Sequence, residues 1–286
     1  MKFIVRGAGL GDNVALLPVL EAWRKDNPDE VFTPDGDHWQ QEIFKGHPAL
    51  GQRVNKTRAV WTFNAIATPV YPGNLSEFYA SQKGLELEDP TPRMYLSDEE
   101  VGAARQRVGS KLREVRPKTV VAMDSWAGWP TRRWGWGRFA ELVVRLSSEG
   151  VAVVEVGAKS DAVDELEPPQ RLPGWRCFYG QLLIRETAAV ISECDLYIGN
   201  DSGLAHVAAA VGVPQVTIYG AVPWYQRAYW NTTRVISSVR CRGQCNITCA
   251  AAPVGNPACL EAITVEEVYH KVQLALDRFV RGREGR

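Results

Sequence analysis

The residues whose types and spacing suit chemistry gather in Gly199-Asn200-Asp201-Ser202-Gly203, with His206 three positions further on. An apolar run, Asp195 to Ile198, leads into this cluster. A small-residue stretch, Leu204 to Val211, follows and is closed by Gly212 and Pro214; a second apolar run covers Gln215 to Tyr219. That order reads as strand, turn, helix, strand, with the polar cluster at the carboxyl edge of the first strand. Asp201 or Ser202 caps the helix. The free N–H groups of its first turn suit a phosphate, and Gly203 leaves room for a ligand close to the backbone. His206 lies four residues after Ser202, on the same helical face. Capped helices and structural histidines occur in any α/β protein. What favours a ligand site is the convergence of five polar or glycine residues and an imidazole on one mouth.

Two further stretches carry candidate groups. After a short apolar strand, Phe3 to Val5, the chain reads Arg6-Gly7-Ala8-Gly9-Leu10-Gly11-Asp12 and enters a helix over Asn13 to Arg24. The Gly-x-Gly-x-Gly spacing is not the Gly-x-Gly-x-x-Gly of a dinucleotide site, and no acidic residue ends the next strand convincingly, so a nicotinamide cofactor is not favoured. The loop with Gly9 and Gly11 instead offers a flexible mouth and one carboxylate. Asp12 is either the N-cap of its helix or a general base facing a cleft. The second stretch, Asp124 to Gly137, reads DSWAGWPTRRWGWG. Arg132 lies at a strand's carboxyl mouth, where a guanidinium binds phosphate oxygens bidentately, while Trp134 and Trp136 belong to the core where a helix begins.

Six cysteines are present, and Cys241, Cys245, Cys249 and Cys259 fall within nineteen residues. In a reducing compartment such a cluster points to zinc or iron. Four reduced thiols, or a Cys241–Cys245 disulfide, are the alternatives. Cys177 and Cys194 read as buried thiols.

These groups need a frame. The 286 residues, of formal net charge +0, suffice for two modest α/β domains or one large one. Neutral charge argues against a general nucleic-acid binder. The N-terminal apolar run is too short for a signal peptide, no stretch is long enough to span a bilayer, and a cytoplasmic location follows as the expectation. Strands are expected over 29–33, 58–61, 119–123, 151–156 and 175–179. Helices are expected over 39–45, 76–83, 97–108, 138–149, 161–166, 183–193 and 264–280. The alternation implies parallel sheets with helices on both faces. The charged, proline-containing stretch Lys111 to Lys118 marks a domain boundary, giving domains over 1–116 and 117–263 with a Cys-rich loop over 241–259. A C-terminal helix within 264–286 is expected to pack back on the first domain.

The chain resembles the family 9 glycosyltransferases, whose best-known members are the ADP-heptose:lipopolysaccharide heptosyltransferases. Four stretches carry the likeness. They are Gly11-Asp12 with the apolar helix containing Pro18, Arg132-Arg133-Trp134 through Leu142, the block Gly199 to Gly220, and Cys259-Leu260-Glu261-Ala262-Ile263 before the last helix. The resemblance implies a GT-B fold, two Rossmann-like domains with parallel sheets facing a central cleft. It implies inverting transfer from a nucleotide sugar, ADP-heptose above all, onto a hydroxyl of lipopolysaccharide core, another glycan or a protein, with no metal needed at the diphosphate. Asp12 would be the general base, and Arg132, standing where many relatives carry Lys, would meet the diphosphate. Asp201, Ser202, Gly203 and His206 would hold the donor, and Gly9 and Gly11 would line the acceptor side. The donor's ribose would need an acidic partner, for which Glu155 and Asp161 are the candidates. An iron-bearing cysteine finger occurs in protein-heptosylating relatives. The competing readings are a nucleotide-sugar hydrolase and a catalytically silent nucleotide-sugar-binding protein on the same fold.

Overall fold

The computed structural model describes residues 2–6, 9–29, 31–34, 37–51, 60–64, 71–112, 117–158, 174–245, 247–249 and 257–281. The first sheet is built from β1 (Lys2–Arg6), β2 (Thr33–Pro34) and β3 (Val60–Asn64), all parallel, in the order β2-β1-β3. Its helices are α1 (Leu10–Ala15), α2 (Leu17–Asp26), α3 (His38–Phe44) and α4 (Leu75–Ser81), with α5 (Asp98–Leu112) leading out. The single helix expected over Asn13 to Arg24 is broken at Leu16. Pro18 has no N–H to return to the preceding turn, so it sits in the first turn of a new helix. The helix expected over 161–166 lies outside the described residues.

The second sheet contains β4 (Thr119–Asp124), β5 (Val151–Glu155), β6 (Trp175–Cys177), β7 (Leu196–Asn200), β8 (Gln215–Tyr219) and β9 (Thr232–Ile236). All neighbours are parallel, in the order β6-β5-β4-β7-β8-β9. Its helices are α6 (Trp136–Ser148), α7 (Ile184–Ser192), α8 (Gly203–Ala210), α9 (Ala258–Glu261) and α10 (Val265–Phe279). The sequence assigns no strand to β9, although Thr232, Thr233, Val235 and Ile236 are the β-branched residues that favour one.

The strands of this sheet are continuous apolar runs because both faces are covered. Val121, Met123, Val151, Val153, Leu196 and Ile198 join one core with α6 and α10. Ala122, Ala152, Val154 and Tyr197 face the other way, into a core shared with α7 and α8. That second core does not stop at the domain boundary: it runs on through Val14, Leu17 and Leu20 of α1 and α2, Tyr79 of α4 and Val108 of α5. The two sheets are thus joined by buried apolar surface where α1 meets α8 and α5 meets α7. The final helix does not follow the sequence expectation. It lies against α6 and strands β7 to β9, because Val265, Val268, Val272 and Leu276 form the stripe that closes the second core.

Among the ion pairs that join the domains, Arg105–Glu193, Arg107–Glu186 and Arg185–Glu100, the last is the most buried. Arg185 of α7, 6 % exposed, gives two hydrogen bonds to the Glu100 carboxylate of α5, and others to the carbonyls of Glu42, Lys45 and Tyr95. The Arg185 hydrogen bonds, assisted by the Ser97 N–H, hold the Glu100 carboxyl down at about 2. A carboxylate depressed in the folded state contributes stability above its unfolded value, lost as pH falls toward the folded value. Glu100→Gln should therefore lower stability by about 2 kcal/mol at neutral pH. The gap from the parent should close as the pH falls from 4.5 to about 2. Urea denaturation across that range measures it, and a gap independent of pH would rule the clamp out.

Candidate active site

The second sheet reverses direction at β4. From there the chain builds outward to β5 and β6 on one side, and later to β7, β8 and β9 on the other. Ligands of open parallel sheets bind at the carboxyl ends of the strands at such a switch point. Here Asp124 ends β4 opposite Gly199 of β7. A cavity of about 680 Å³ opens there, between the two sheets. It is lined from the first domain by Gly9, Gly11, Asp12 and Trp39. From the second come Asp124, Trp126, Trp129, Arg132, Asp201, Ser202, Gly203, His206 and Arg227. The structure therefore brings together Gly9, Gly11, Asp12, Arg132, Asp201, Ser202, Gly203 and His206 of the candidate residues read from the sequence, but not the cysteines or Glu155.

Part of the cavity wall on the second domain is cross-linked by hydrogen bonds. Ser202 is the N-cap of α8 and accepts from the Leu204 N–H. Its hydroxyl donates to Asp124 at 2.6 Å, and the Trp126 N–H donates to the other Asp124 oxygen at 3.2 Å. Asn200, wholly buried, accepts from the Trp134 N–H at 2.9 Å and donates to the Ser125 carbonyl at 3.0 Å. Trp134 is core as expected, 0 % exposed, and its indole N–H donates to the Ile263 carbonyl. Arg133 stacks on Trp126 and donates to the Ala127 carbonyl at 2.7 Å. It braces the loop, which leaves Arg132 as the loop arginine on the cavity.

Arg132 lies over the Trp129 ring, with its Nε 3.4 Å from Asp201 Oδ2. Neither of those two atoms makes a hydrogen bond with good geometry. Burial pulls the Arg132 guanidinium below its usual value, and Asp201 opposes this. His206 is 2 % exposed, with Nδ1 2.7 Å from the Tyr229 hydroxyl. Burial, then the charges of Arg227 and Arg132, hold its pKa well below the ordinary range, so the imidazole is neutral at pH 7. It is thus a fixed dipole beside two cations.

Asp12 is not the N-cap of its helix. Gly9 holds that position, and Asp12, in the first turn, reaches back to accept the Gly9 N–H at 2.9 Å. Its other oxygen accepts from the Tyr79 hydroxyl at 2.7 Å. Tyr79 is 0 % exposed, and burial followed by the Asp12 charge keeps its phenol protonated. The carboxylate is therefore aimed by two donors and keeps lone pairs for a third.

Two expectations are corrected, those for Gly203 and Glu155. The space beside Gly203 is taken by protein: a Cβ there would stand 2.6 Å from Leu10 Cβ. Gly11 likewise makes room for the His206 ring, with a Cβ only 2.7 Å from Cδ2. Both glycines let α1 and α8 touch, although they also border the cavity. Glu155 is 1 % exposed, accepts from Ser125 and the Trp175 indole, and does not line the cavity, so it is not a ribose ligand in this arrangement. Burial pushes its carboxyl up to about 7. Asp161 lies outside the described residues. Tyr79, Asp124, Tyr229 and Arg227 are site residues that sequence reasoning missed. Only Asp124, a carboxylate ending an apolar strand, carried a readable signal.

The cysteines lie apart from the cavity. None of the six cysteines forms a disulfide. The Cys245 and Cys249 sulfurs are 3.7 Å apart. Burial and the three neighbouring thiols push Cys259 up to about 11, which places Cys241, Cys245 and Cys249 within electrostatic reach of it. Among the described residues no group of three or more His, Cys, Asp or Glu side chains is closed enough to hold a metal ion. Residues 246 and 250–256 of this loop are not among those described.

Two parallel α/β domains with a polar cavity at the strand mouths between them define the GT-B class of architecture. Solved structures share it: E. coli ADP-heptose LPS heptosyltransferase II superposes with a TM-score of 0.71 over 97 % of this chain and 98 % of that one, at 15 % identity. The iron-containing dodecameric glycosyltransferase TibC from enterotoxigenic E. coli gives 0.65 over 97 % and 76 %, at 16 % identity, and has also been solved in complex with ADP-D-β-D-heptose. The model of glycosyltransferase family 9 (heptosyltransferase) matches residues 62–253, and the chain belongs to that family. Lipopolysaccharide heptosyltransferase 2 of Salmonella typhimurium is 35 % identical over 98 residues, 32 % of this chain. The match spans 28 % of that relative's length.

The α1–α8 contact is testable at Gly11. In an ordinary helix Gly→Ala raises stability by about 1 kcal/mol. Here the new methyl meets the His206 ring, so Gly11→Ala should instead cost about 2 kcal/mol in chemical denaturation. A stabilised variant would mean that the helices have room to spare.

Proposed function

We propose that the chain is an inverting glycosyltransferase that moves a heptose from ADP-heptose onto a hydroxyl of a glycan or protein, working in the cytoplasm. The observation that carries this reading is one cavity lined by a carboxylate from the first domain, Asp12, and by a buried guanidinium from the second, Arg132. Family membership supports it, as does the ADP-D-β-D-heptose bound by the structural relative TibC.

The chemistry asks for two things. An acceptor hydroxyl becomes a nucleophile as a base removes its proton. Asp12 fills that role, with Tyr79 and the Gly9 N–H fixing its orientation. The departing nucleoside diphosphate gains negative charge, which preorganised donors stabilise. Arg132 and the first turn of α8, capped by Ser202, supply them. Asp201 holds Arg132 in place. The indoles of Trp126 and Trp129, each with a guanidinium on one face, form part of the donor wall.

Asp12→Asn should keep ADP affinity and lose transfer by about 10²–10⁴-fold, since an amide cannot take the proton. Arg132→Ala should lose ADP affinity instead, by about tenfold or more. Calorimetry with ADP, beside an ADP-release assay with ADP-heptose and candidate acceptors, reads both. Release without any acceptor would favour a hydrolase, and binding without release a silent binding protein.

In the same reading Cys241, Cys245, Cys249 and Cys259 hold one structural iron or zinc ion. The 3.7 Å between Cys245 and Cys249 suits one edge, about 3.8 Å, of a tetrahedron of sulfurs 2.3 Å from a metal. TibC is an iron-containing relative. Bound there, the ion would close the loop and leave no position open for substrate. Elemental analysis of protein purified without added metal should find about one equivalent of iron plus zinc, and Cys245→Ser should lose it and lower the melting temperature. A folded, active sample with less than about a tenth of an equivalent would exclude the site.

A further inference from the structure

We propose that Arg227 is the second cation of the anion site, binding the terminal phosphate of a nucleoside diphosphate and taking up the charge that forms there as the sugar leaves; this rests on the transferase reading above.

Arg227 lies between β8 and β9, directly after the 3-10 turn Trp224–Gln226. Both flanking residues are fastened to the first domain. Gln226 donates to the Tyr71 carbonyl at 2.9 Å, and the Ala228 carbonyl accepts from Asn74 at 3.1 Å. The Arg227 N–H is used by the Trp224 carbonyl. The backbone is thereby held at the domain junction, and the side chain lines the cavity. It is 9 % exposed, its Nε is enclosed without a hydrogen-bond partner, and it makes no ion pair among the described residues. A buried cation without a partner is costly, and proteins retain such groups where a ligand supplies the opposite charge.

The neighbourhood sharpens the assignment. The Arg227 charge helps to lower the Arg132 guanidinium, after burial, and both cations act on His206. One carboxylate, Asp201, serves Arg132; Arg132 Nη1 donates to the Asp201 carbonyl at 3.4 Å, while Arg132 Nε and Asp201 Oδ2 make no hydrogen bond. Two guanidinium groups with unsatisfied Nε atoms therefore border one cavity, beside the N-terminus of the eight-residue helix α8. One phosphate suits one guanidinium; two linked phosphates suit both.

Position along the site separates the two arginines. The Arg227 loop is anchored through Ala228 to Asn74, the N-cap of α4, and α4 carries Tyr79, the phenol bonded to Asp12. Arg132, although its charge also reaches Asp12, is held at Asp201 beside the Ser202 cap of α8. Arg227 thus stands on the side of the reacting centre, and Arg132 with Ser202 on the side of the inner phosphate. In the transfer, the acceptor oxygen forms its bond to the anomeric carbon as the bond from that carbon to the terminal phosphate oxygen breaks. The electron pair of the broken bond stays on that oxygen, next to Arg227, and the acceptor's proton passes to Asp12.

The test uses the full chain, with ADP and AMP as probes in calorimetry, on the parent, Arg227→Gln and Arg227→Lys. ADP affinity should fall by about tenfold or more in Arg227→Gln, with AMP affinity within about twofold of the parent, because AMP lacks the phosphate concerned. Arg227→Lys should lie between, since the charge remains and the fork is lost. The melting temperature of Arg227→Gln should match or exceed the parent's, since a buried unpaired charge is removed. Unchanged ADP affinity, or equal losses for ADP and AMP together with a lower melting temperature, would overturn the proposal and mark Arg227 as structural. A parent that binds no ADP would overturn the transferase reading and this proposal with it. A parent that binds ADP while Arg227→Gln binds it equally would overturn the role of Arg227 alone.

Discussion

The arrangement depends on how closely α1 and α8 approach. Gly11 faces the His206 ring and Gly203 faces Leu10, at separations that leave no space for a Cβ on either glycine. Each helix gives up a side chain so that the other can place one. Because both helices point their N-termini at the same cavity, this contact sets the distance between a carboxylate carried by one domain and the cations carried by the other. The shared apolar core beneath, reaching from Leu17 and Tyr79 to Val207 and Ala208, makes the junction part of the folded unit. The Arg185–Glu100 clamp fastens a second point on it.

Burial then decides the charge states. His206 is held neutral, and Tyr79, Tyr197 and Tyr229 are held protonated. Beside the neutral His206, the titratable groups that line the cavity are a small set: Asp12, Asp124, Asp201, Arg132 and Arg227. The neutral groups orient the charged ones, as Tyr79 does Asp12. A low-dielectric wall makes each remaining charge count for more than it would in water.

The Cys-rich tail is tied into the same frame. The Gly243 and Cys245 N–H groups donate to the carbonyls of Gly220 and Ala221, just past β8. Cys259 and Leu260 pack against Gly220. Beyond them, the Ile263 carbonyl accepts the Trp134 indole N–H, and Arg138 reaches from the Trp134 carbonyl to that of Leu260. Trp134 belongs to the loop that carries Arg132. The tail is therefore joined, through two short links, to the Arg132 side of the cavity.

Much of this was legible in the sequence, because local rules govern it. The period of apolar residues gave most strands and helices of the second sheet, and the block from Gly199 to Gly220 announced a capped helix at a strand mouth. Ser202 caps as its type and position demand, Trp134 is core, and Asp12, Arg132 and His206 border one cavity. What the sequence could not decide were relations between distant segments. Whether Gly203 meets a ligand or Leu10 depends on a residue 193 positions away by subtraction of the two numbers. Glu155 ends a strand as a ribose ligand would, yet its neighbours Ser125 and Trp175 claim it. Tyr79 reaches Asp12 only because α4 packs beside α1. Arg227 has no periodic context at all; its loop is positioned by hydrogen bonds to Tyr71 and Asn74 in the other domain. Capping and periodicity act over a few residues, so one segment suffices to read them. Partners across a domain junction are chosen by packing, and only the tertiary structure decides them.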